Sequence, residues 1–199
     1  MRLTNNKDIM NVVIFGAPGS GKGTQSEKLI EKYGLHHIST GEVLRDHIAR
    51  KTPIGQIAHT YISQGQLIPD SLMIQILEDI IDNEPKAKEG VILDGFPRTI
   101  PQAEALKRFF ERRGMNLDHV IGLEVPEEEL VDRMIKRGQQ TGRADDNLDT
   151  IKNRLKVYHE STTPLRDYYV AEGKYRPIHG SGSVEDIFNS ISSAIDGNI

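Results

Sequence analysis

Short apolar runs punctuate the chain at Val12–Phe15, His37–Ile38, Val91–Leu93, Val120–Leu123 and Tyr175–Ile178. Each is followed by a stretch whose apolar residues recur at helical spacing; after the first run, Leu29, Ile30 and Tyr33 fall on one helix face. Uninterrupted apolar runs suit strands buried on both faces. Their alternation with helices predicts an α/β fold, with a five-stranded parallel sheet covered by helical crossovers. Such a sheet binds ligands beyond the carboxyl ends of its strands, so functional residues are expected just after each run.

Two segments interrupt the alternation. Thr40 to about Asn83 has no strand pattern, is broken by Pro53, Gly65 and Pro69, and is too long for a simple crossover. It reads as a helical insertion. Gly138–Asp146, rich in Gly, Gln, Thr and Asp, reads as a small loop projecting between two helices, and Pro164 is expected to kink the helical pattern of Asp146–Ala171. The polar opening MRLTNNKDIM has no apolar signal core and reads as a flexible extension over residues 1–10, ahead of a single domain over 11–199.

With 199 residues the chain suits one α/β domain with small insertions. A hydrophobic fraction of 37% and a mean hydropathy of −0.46 fit a soluble protein, and no run approaches a membrane span. Cysteine is absent, which excludes disulfides and thiolate metal sites, and the expected location is cytoplasmic. A net charge of −4 argues against a nucleic-acid partner held by a broad basic surface. Any polyanionic ligand then requires arginines gathered locally.

The chemistry is densest at residues 12–24, VVIFGAPGSGKGT. An apolar strand runs into Gly16, Gly19, Gly21 and Gly23, then Lys22 and a helix: the P-loop arrangement. Phosphate oxygens need several N–H donors at close range, so Cβ atoms must be absent where the loop wraps, and a helix N-terminus adds free N–H groups. Lys22 supplies a mobile charge for the outer phosphates. The general pattern has Ser or Thr after the lysine; here Gly23 stands there and Thr24 follows. The bland alternative is a glycine-rich turn with no ligand.

Val91–Leu93 ends in Asp94, an acid placed to serve a magnesium ion beside a P-loop, or merely to cap a turn. Gly95-Phe96-Pro97-Arg98 follows, and the Arg98 fork suits bridging two phosphates. Thr99-x-x-Gln102 has capping-box spacing, so Gln102 reads equally as cap partner and ligand reader. Ser39 and Glu42 form a similar box, which leaves Thr40 and Arg45 to face the strand ends. Arg133 and Arg137 share a helix face ahead of Gly138, with Arg143 and Arg154 beyond the loop. Like charges so close need an anion or carboxylates between them, and Asp145 and Asp146 are candidates. A helix-end salt-bridge network with Glu127–Glu129 is the plain alternative.

Taken together, GAPGSGKGTQ at 16–25, STGEVLR at 39–45, GQLIPD at 65–70, DGFPRTIPQ at 94–102, DRMIKRG at 132–138 and GRADDN at 142–147 resemble the adenylate kinases of the short type, among the nucleoside monophosphate kinases. Gly23 after the lysine is that family's own form. The resemblance implies a three-layer P-loop kinase fold with a nucleoside-monophosphate-binding insertion at about 39–69 and a short lid at about 132–143 in place of the family's long one. It implies magnesium as cofactor, no zinc, and a monomer acting on ATP and AMP. Gly19, Ser20, Gly21, Lys22, Gly23 and Thr24 would cradle ATP phosphates, and Arg133 and Gly182 would touch the ATP base. Thr40, Arg45, Gln66, Leu67, Ile68, Gly95, Phe96, Pro97, Arg98 and Gln102, with Arg143 and Arg154, would hold AMP, and Arg137 would join the ATP side. Arg137, Arg143 and Arg154 would grip phosphates on closure, with Lys22 and Arg98 completing the catalytic set, and Asp94 would orient magnesium waters. A UMP/CMP kinase is the nearest rival, with a small-metabolite kinase on the same scaffold and a nucleotide-binding switch as further readings. Thr40 and Gln102 favour adenine over pyrimidine.

Overall fold

The computed structural model describes residues 9–197. Five strands, β1 (Val12–Gly16), β2 (His36–Ser39), β3 (Val91–Asp94), β4 (His119–Glu124) and β5 (Tyr175–His179), form one parallel sheet in the order β2-β3-β1-β4-β5. All five expected runs are strands, each lengthened by one or two residues. Residues 1–8 of the expected extension lie outside the described residues. Met10 is partly buried against the core.

Successive residues of a strand point to opposite faces, and β1 shows why its run is apolar throughout. Val13 and Phe15 join one core and Val12 and Ile14 the other. The second core is closed by Leu29 of α1 (Lys22–Tyr33) and by Ile187, Ile191 and Ala194 of α9 (Val184–Asp196). On the opposite face lie α2 (Thr40–Ala49), α3 (Pro53–Ile62), α4 (Asp70–Asn83), α5 (Ile100–Arg112) and α8 (Pro164–Ala171). Met73 and Leu77 of α4, Phe109 and Phe110 of α5 and Tyr169 of α8 fill that larger core. The result is three layers. Helices α2 and α3, with the start of α4, are the helical insertion.

Two helices remain, α6 (Glu127–Thr141) and α7 (Leu148–Val157), packed through Leu130, Met134, Ile151 and Leu155. Here the structure corrects the sequence reading. Helix α6 continues through Gly138 to Thr141, so the projecting loop is confined to Gly142–Asn147. Gly138 serves packing rather than helix termination: a Cβ there would lie 2.8 Å from Asp146 O. The terminating glycine is Gly142, left-handed at φ 67°. The kink expected at Pro164 is a π-helical turn at Tyr158–Thr162, closed by Thr163 N–H donating to Tyr158 O at 2.8 Å.

The insertion touches α7 directly. Thr150 Oγ1 donates to Ser63 O at 3.5 Å, and the Asn153 amide donates to Gln64 O. A Cβ on Gly65 would stand 2.9 Å from both Thr150 O and the Arg154 side chain.

Candidate active site

Beyond the carboxyl ends of β1, β2 and β3 lies a cleft of about 390 Å³. Its floor is the Gly16–Thr24 loop. The cap position of α1 is Gly21, which is left-handed at φ 95° and provides no side-chain cap. The first N–H groups of the helix are therefore left for a ligand, at the positive end of its dipole. Other helices divide: Thr52 accepts from Gly55 N–H, Asn147 from Thr150 N–H and Ser183 from Asp186 N–H, whereas α4, α6 and α8 start without a side-chain cap. The start of α1 differs from these in opening under the glycine loop of the cleft.

Lys22 curls back over the loop, its Nζ donating to Gly16 O at 3.0 Å and Ala17 O at 3.1 Å. Burial pushes the ammonium down to about 8; Asp94 opposes the shift, while Arg98, Arg154 and Arg137 add to it. Asp94 ends β3 beneath it. Burial alone would raise this carboxyl, but His37, Lys22 and Arg98 outweigh it and hold it below the usual carboxylate range. His37 Nε2 lies 3.6 Å from Asp94 Oδ2, beyond ordinary hydrogen-bond reach.

Across the cleft, the β2–α2 and β3–α5 junctions present Thr40, Arg45, Arg98 and Gln102. Thr40 Oγ1 donates to Gly95 O at 2.9 Å, and Arg98 Nε donates to the same oxygen at 2.8 Å. Thr162 Oγ1, on the π-helical turn, donates to Arg98 O at 2.7 Å and fixes that backbone from behind. Burial pushes the Arg98 guanidinium down to about 10, with Arg154, Arg45 and Arg143 pushing the same way against Asp94. Burial and Arg143 likewise lower Arg45. An arginine does not give up its proton in a protein, so these directions report a crowded positive field.

The capping boxes are each half formed. Ser39 Oγ accepts from Glu42 N–H at 3.4 Å and Thr99 Oγ1 from Gln102 N–H at 3.3 Å. Gln102 Oε1, however, accepts from Arg98 N–H at 2.8 Å rather than from its cap residue, and the buried side chain lines the cleft.

The α6–α7 side brings the remaining arginines together. Arg137 binds Asp146 with two hydrogen bonds, of 2.6 and 2.8 Å, and Arg154 Nη1 donates to Asp146 Oδ1 at 2.8 Å. Arg143 Nε donates to Asp145 Oδ1 at 3.0 Å. Asp145 and Asp146 thus orient three guanidinium groups, as their spacing suggested. The helix-end alternative holds for Arg133 alone, which pairs with Glu129 and also donates to Gly180 O at 2.9 Å and Ser20 O at 3.3 Å.

Most residues singled out from the sequence line this one cleft, among them Gly19, Gly21–Thr24, Thr40, Arg45, Gln66–Ile68, Asp94, Gly95, Pro97, Arg98, Gln102 and the four lid-side arginines. Three do not. Phe96 is turned into the larger core, Ser20 is buried beneath the loop, and Gly182 lies exposed beyond the cleft rim, two residues past the Gly180 carbonyl that meets Arg133. The sequence reading missed Asp70, His37, Tyr158 and Thr162, whose contacts with the site span distant segments.

Comparison with known proteins gives a consistent family. The family model described as "Adenylate kinase" matches residues 14–174. A protein of Bacteroides fragilis named adenylate kinase is 58% identical over 188 residues, 94% of this chain and 99% of its own length. Proteins of the same name from Parabacteroides distasonis and Porphyromonas gingivalis are 55% and 48% identical, again over 94% of this chain and 98% and 96% of theirs.

Proposed function

Because the chain belongs to the adenylate kinase family, we propose that its cleft transfers the terminal phosphoryl group of ATP to AMP and releases two ADP. One observation carries this reading: a single cleft holds an uncapped helix start with Lys22 on one side and crowded guanidinium groups on the other. A switch that binds one triphosphate needs only the first half. Two polyanions brought together need both.

The reaction requires no general base. An AMP phosphate oxygen is already ionised at neutral pH; it attacks the terminal phosphorus of ATP in line while the bond to the bridging oxygen breaks. The protein's work is positioning and charge neutralisation in a site closed to water. In this reading the loop N–H groups and Lys22 hold the ATP phosphates, and Arg45 and Arg98 hold the AMP phosphate. Arg137, Arg143 and Arg154 meet the transferred group, with Arg133 beside the ATP base. Water excluded by closure of the short lid would otherwise accept the phosphoryl group.

A lone buried carboxylate kept ionised, next to the place of the phosphates, is a donor set suited to magnesium, which retains most of its waters. Asp94 would hold those waters. The ion, when bound, neutralises charge on the phosphate oxygens.

A coupled assay with magnesium-ATP against AMP, UMP, CMP, GMP and no acceptor tests the proposal. AMP is expected to be the strongly preferred acceptor. Equal use of UMP or CMP would replace it with a pyrimidine monophosphate kinase, and hydrolysis without acceptor dependence with a nucleotide switch.

A further inference from the structure

Gln102 sits at 2% exposure with its carboxamide held at both ends. Arg98 N–H donates to Oε1 at 2.8 Å, and Nε2 donates to Asp70 Oδ1 at 2.9 Å. The same Asp70 oxygen accepts from Thr99 Oγ1 at 2.9 Å. A backbone N–H only donates and a carboxylate only accepts. These opposed demands fix which end of the amide is oxygen, a choice otherwise settled by a simple flip. Each end keeps one unused position, a lone pair on Oε1 and an N–H on Nε2, and the side chain borders the cleft.

An acceptor beside a donor is the complement of a 6-aminopurine edge, whose exocyclic amine donates and whose ring N1 accepts. A 6-oxopurine presents the reverse, an accepting oxygen beside a donating N1–H. Turning the amide over would match it, but would then set nitrogen against the Arg98 N–H and oxygen against the Asp70 carboxylate.

We propose that Asp70 is a specificity-determining positioning residue, which with the Arg98 backbone locks the Gln102 carboxamide so that the acceptor subsite takes 6-aminopurine monophosphates and rejects 6-oxopurine ones. This rests on the reading of the cleft as an adenylate kinase site with Gln102 against the acceptor base. Asp70 also opens α4, and Thr99 caps α5, so the same carboxylate ties two helix starts together. A purely structural role would change stability and leave base preference untouched.

IMP is the appropriate probe, because it differs from AMP only in the polarity of that edge. Values of kcat/KM for AMP and IMP are to be measured for the unaltered protein, Asp70→Asn, Gln102→Ala and the double variant, with thermal midpoints alongside. The unaltered protein is expected to prefer AMP by about 10²-fold or more, since an unmatched buried polar edge is strongly rejected. Asp70→Asn, isosteric and able to donate to a flipped amide, is expected to shrink the AMP:IMP ratio about tenfold. In the Gln102→Ala background the same change is expected to leave the ratio within about twofold. Should the asparagine form fail to accumulate, Asp70→Ser, whose hydroxyl serves either orientation, replaces it. An unchanged ratio in Asp70→Asn, or an equal change in both backgrounds, overturns the clamp while the kinase reading stands. An unaltered protein that does not prefer AMP over IMP overturns the reading of the acceptor site itself.

Discussion

Arg137 forks onto Asp146, its Nε 2.6 Å from Oδ2 and its Nη2 2.8 Å from Oδ1, and the Asp146 side chain has no exposed surface. Burial would raise that carboxyl, but the bond from Arg137 and the charges of Arg137, Arg143 and Arg154 hold it low. One buried carboxylate thus anchors the arginines that border the cleft from α6 and α7.

Removing that carboxylate leaves guanidinium groups facing one another. Asp146→Ala should lower stability by about 3 kcal/mol, the usual size of the effect when one partner of a buried pair is lost. Urea denaturation measures it. Added inorganic phosphate should recover part of the loss by binding only the folded state. An unchanged midpoint would show that the arginines find other partners.

Arg137, Arg143 and Arg154 should act on turnover. Each alanine variant is expected to lose about 10²- to 10³-fold in kcat, as for other preorganised donors, while ATP affinity changes much less. Arg133→Ala should instead weaken ATP binding about tenfold, the scale of a lost cation–π contact and hydrogen bond. Turnover and affinity falling alike in all four variants would favour a structural salt-bridge network.

Lys22→Ala should keep the fold, because its Nζ bonds only to loop carbonyls of Gly16 and Ala17. Turnover is expected to drop by at least about 10³-fold. Near-normal activity with magnesium-ATP and AMP would remove the phosphate loop from the mechanism.

The lowered Lys22 value also predicts two pH dependences. In the folded protein the ammonium loses its proton near 8, whereas the unfolded chain keeps it to about 10.5. In the proposed mechanism the charge holds the ATP phosphates, so affinity should fall as pH rises past about 8. Between those values the unfolded state binds the extra proton, so the contribution of this residue to stability rises with pH there. Calorimetric titration and denaturation across that range, with Lys22→Met as the flat control, check both signs.

Gln102→Ala separates recognition from capping. Thr99 makes the cap bond, to the Gln102 backbone N–H, and alanine retains it. Base preference should therefore relax more than the thermal midpoint falls. A lower midpoint with unchanged preference would assign the side chain to structure.

The strands were legible because β1 and its neighbours are buried on both faces, which leaves an apolar run with no polar interruption. The phosphate loop was legible because its chemistry is contiguous in sequence. The end of α6 was misread because Gly138 looks like a helix stop; the glycine answers instead to the close approach of Asp146, a contact no local pattern records. Asp70 and Gln102 stand 32 positions apart and meet only because α4 and α5 start side by side. His37 and Asp94 meet across neighbouring strands for the same kind of reason.

The seam between Gly65 and α7 has a thermodynamic consequence. Ser63 and Gln64 accept bonds from the helix that carries Arg154, and Gly65 leaves no gap in which the two could slide independently. In the proposed mechanism AMP sits against the insertion and Arg154 meets the transferred phosphoryl group, so displacement of the insertion is felt at that arginine. Linkage makes such coupling reciprocal: whatever factor AMP applies to the affinity for ATP, ATP applies to the affinity for AMP, and breaking the seam lowers both by the same cooperativity.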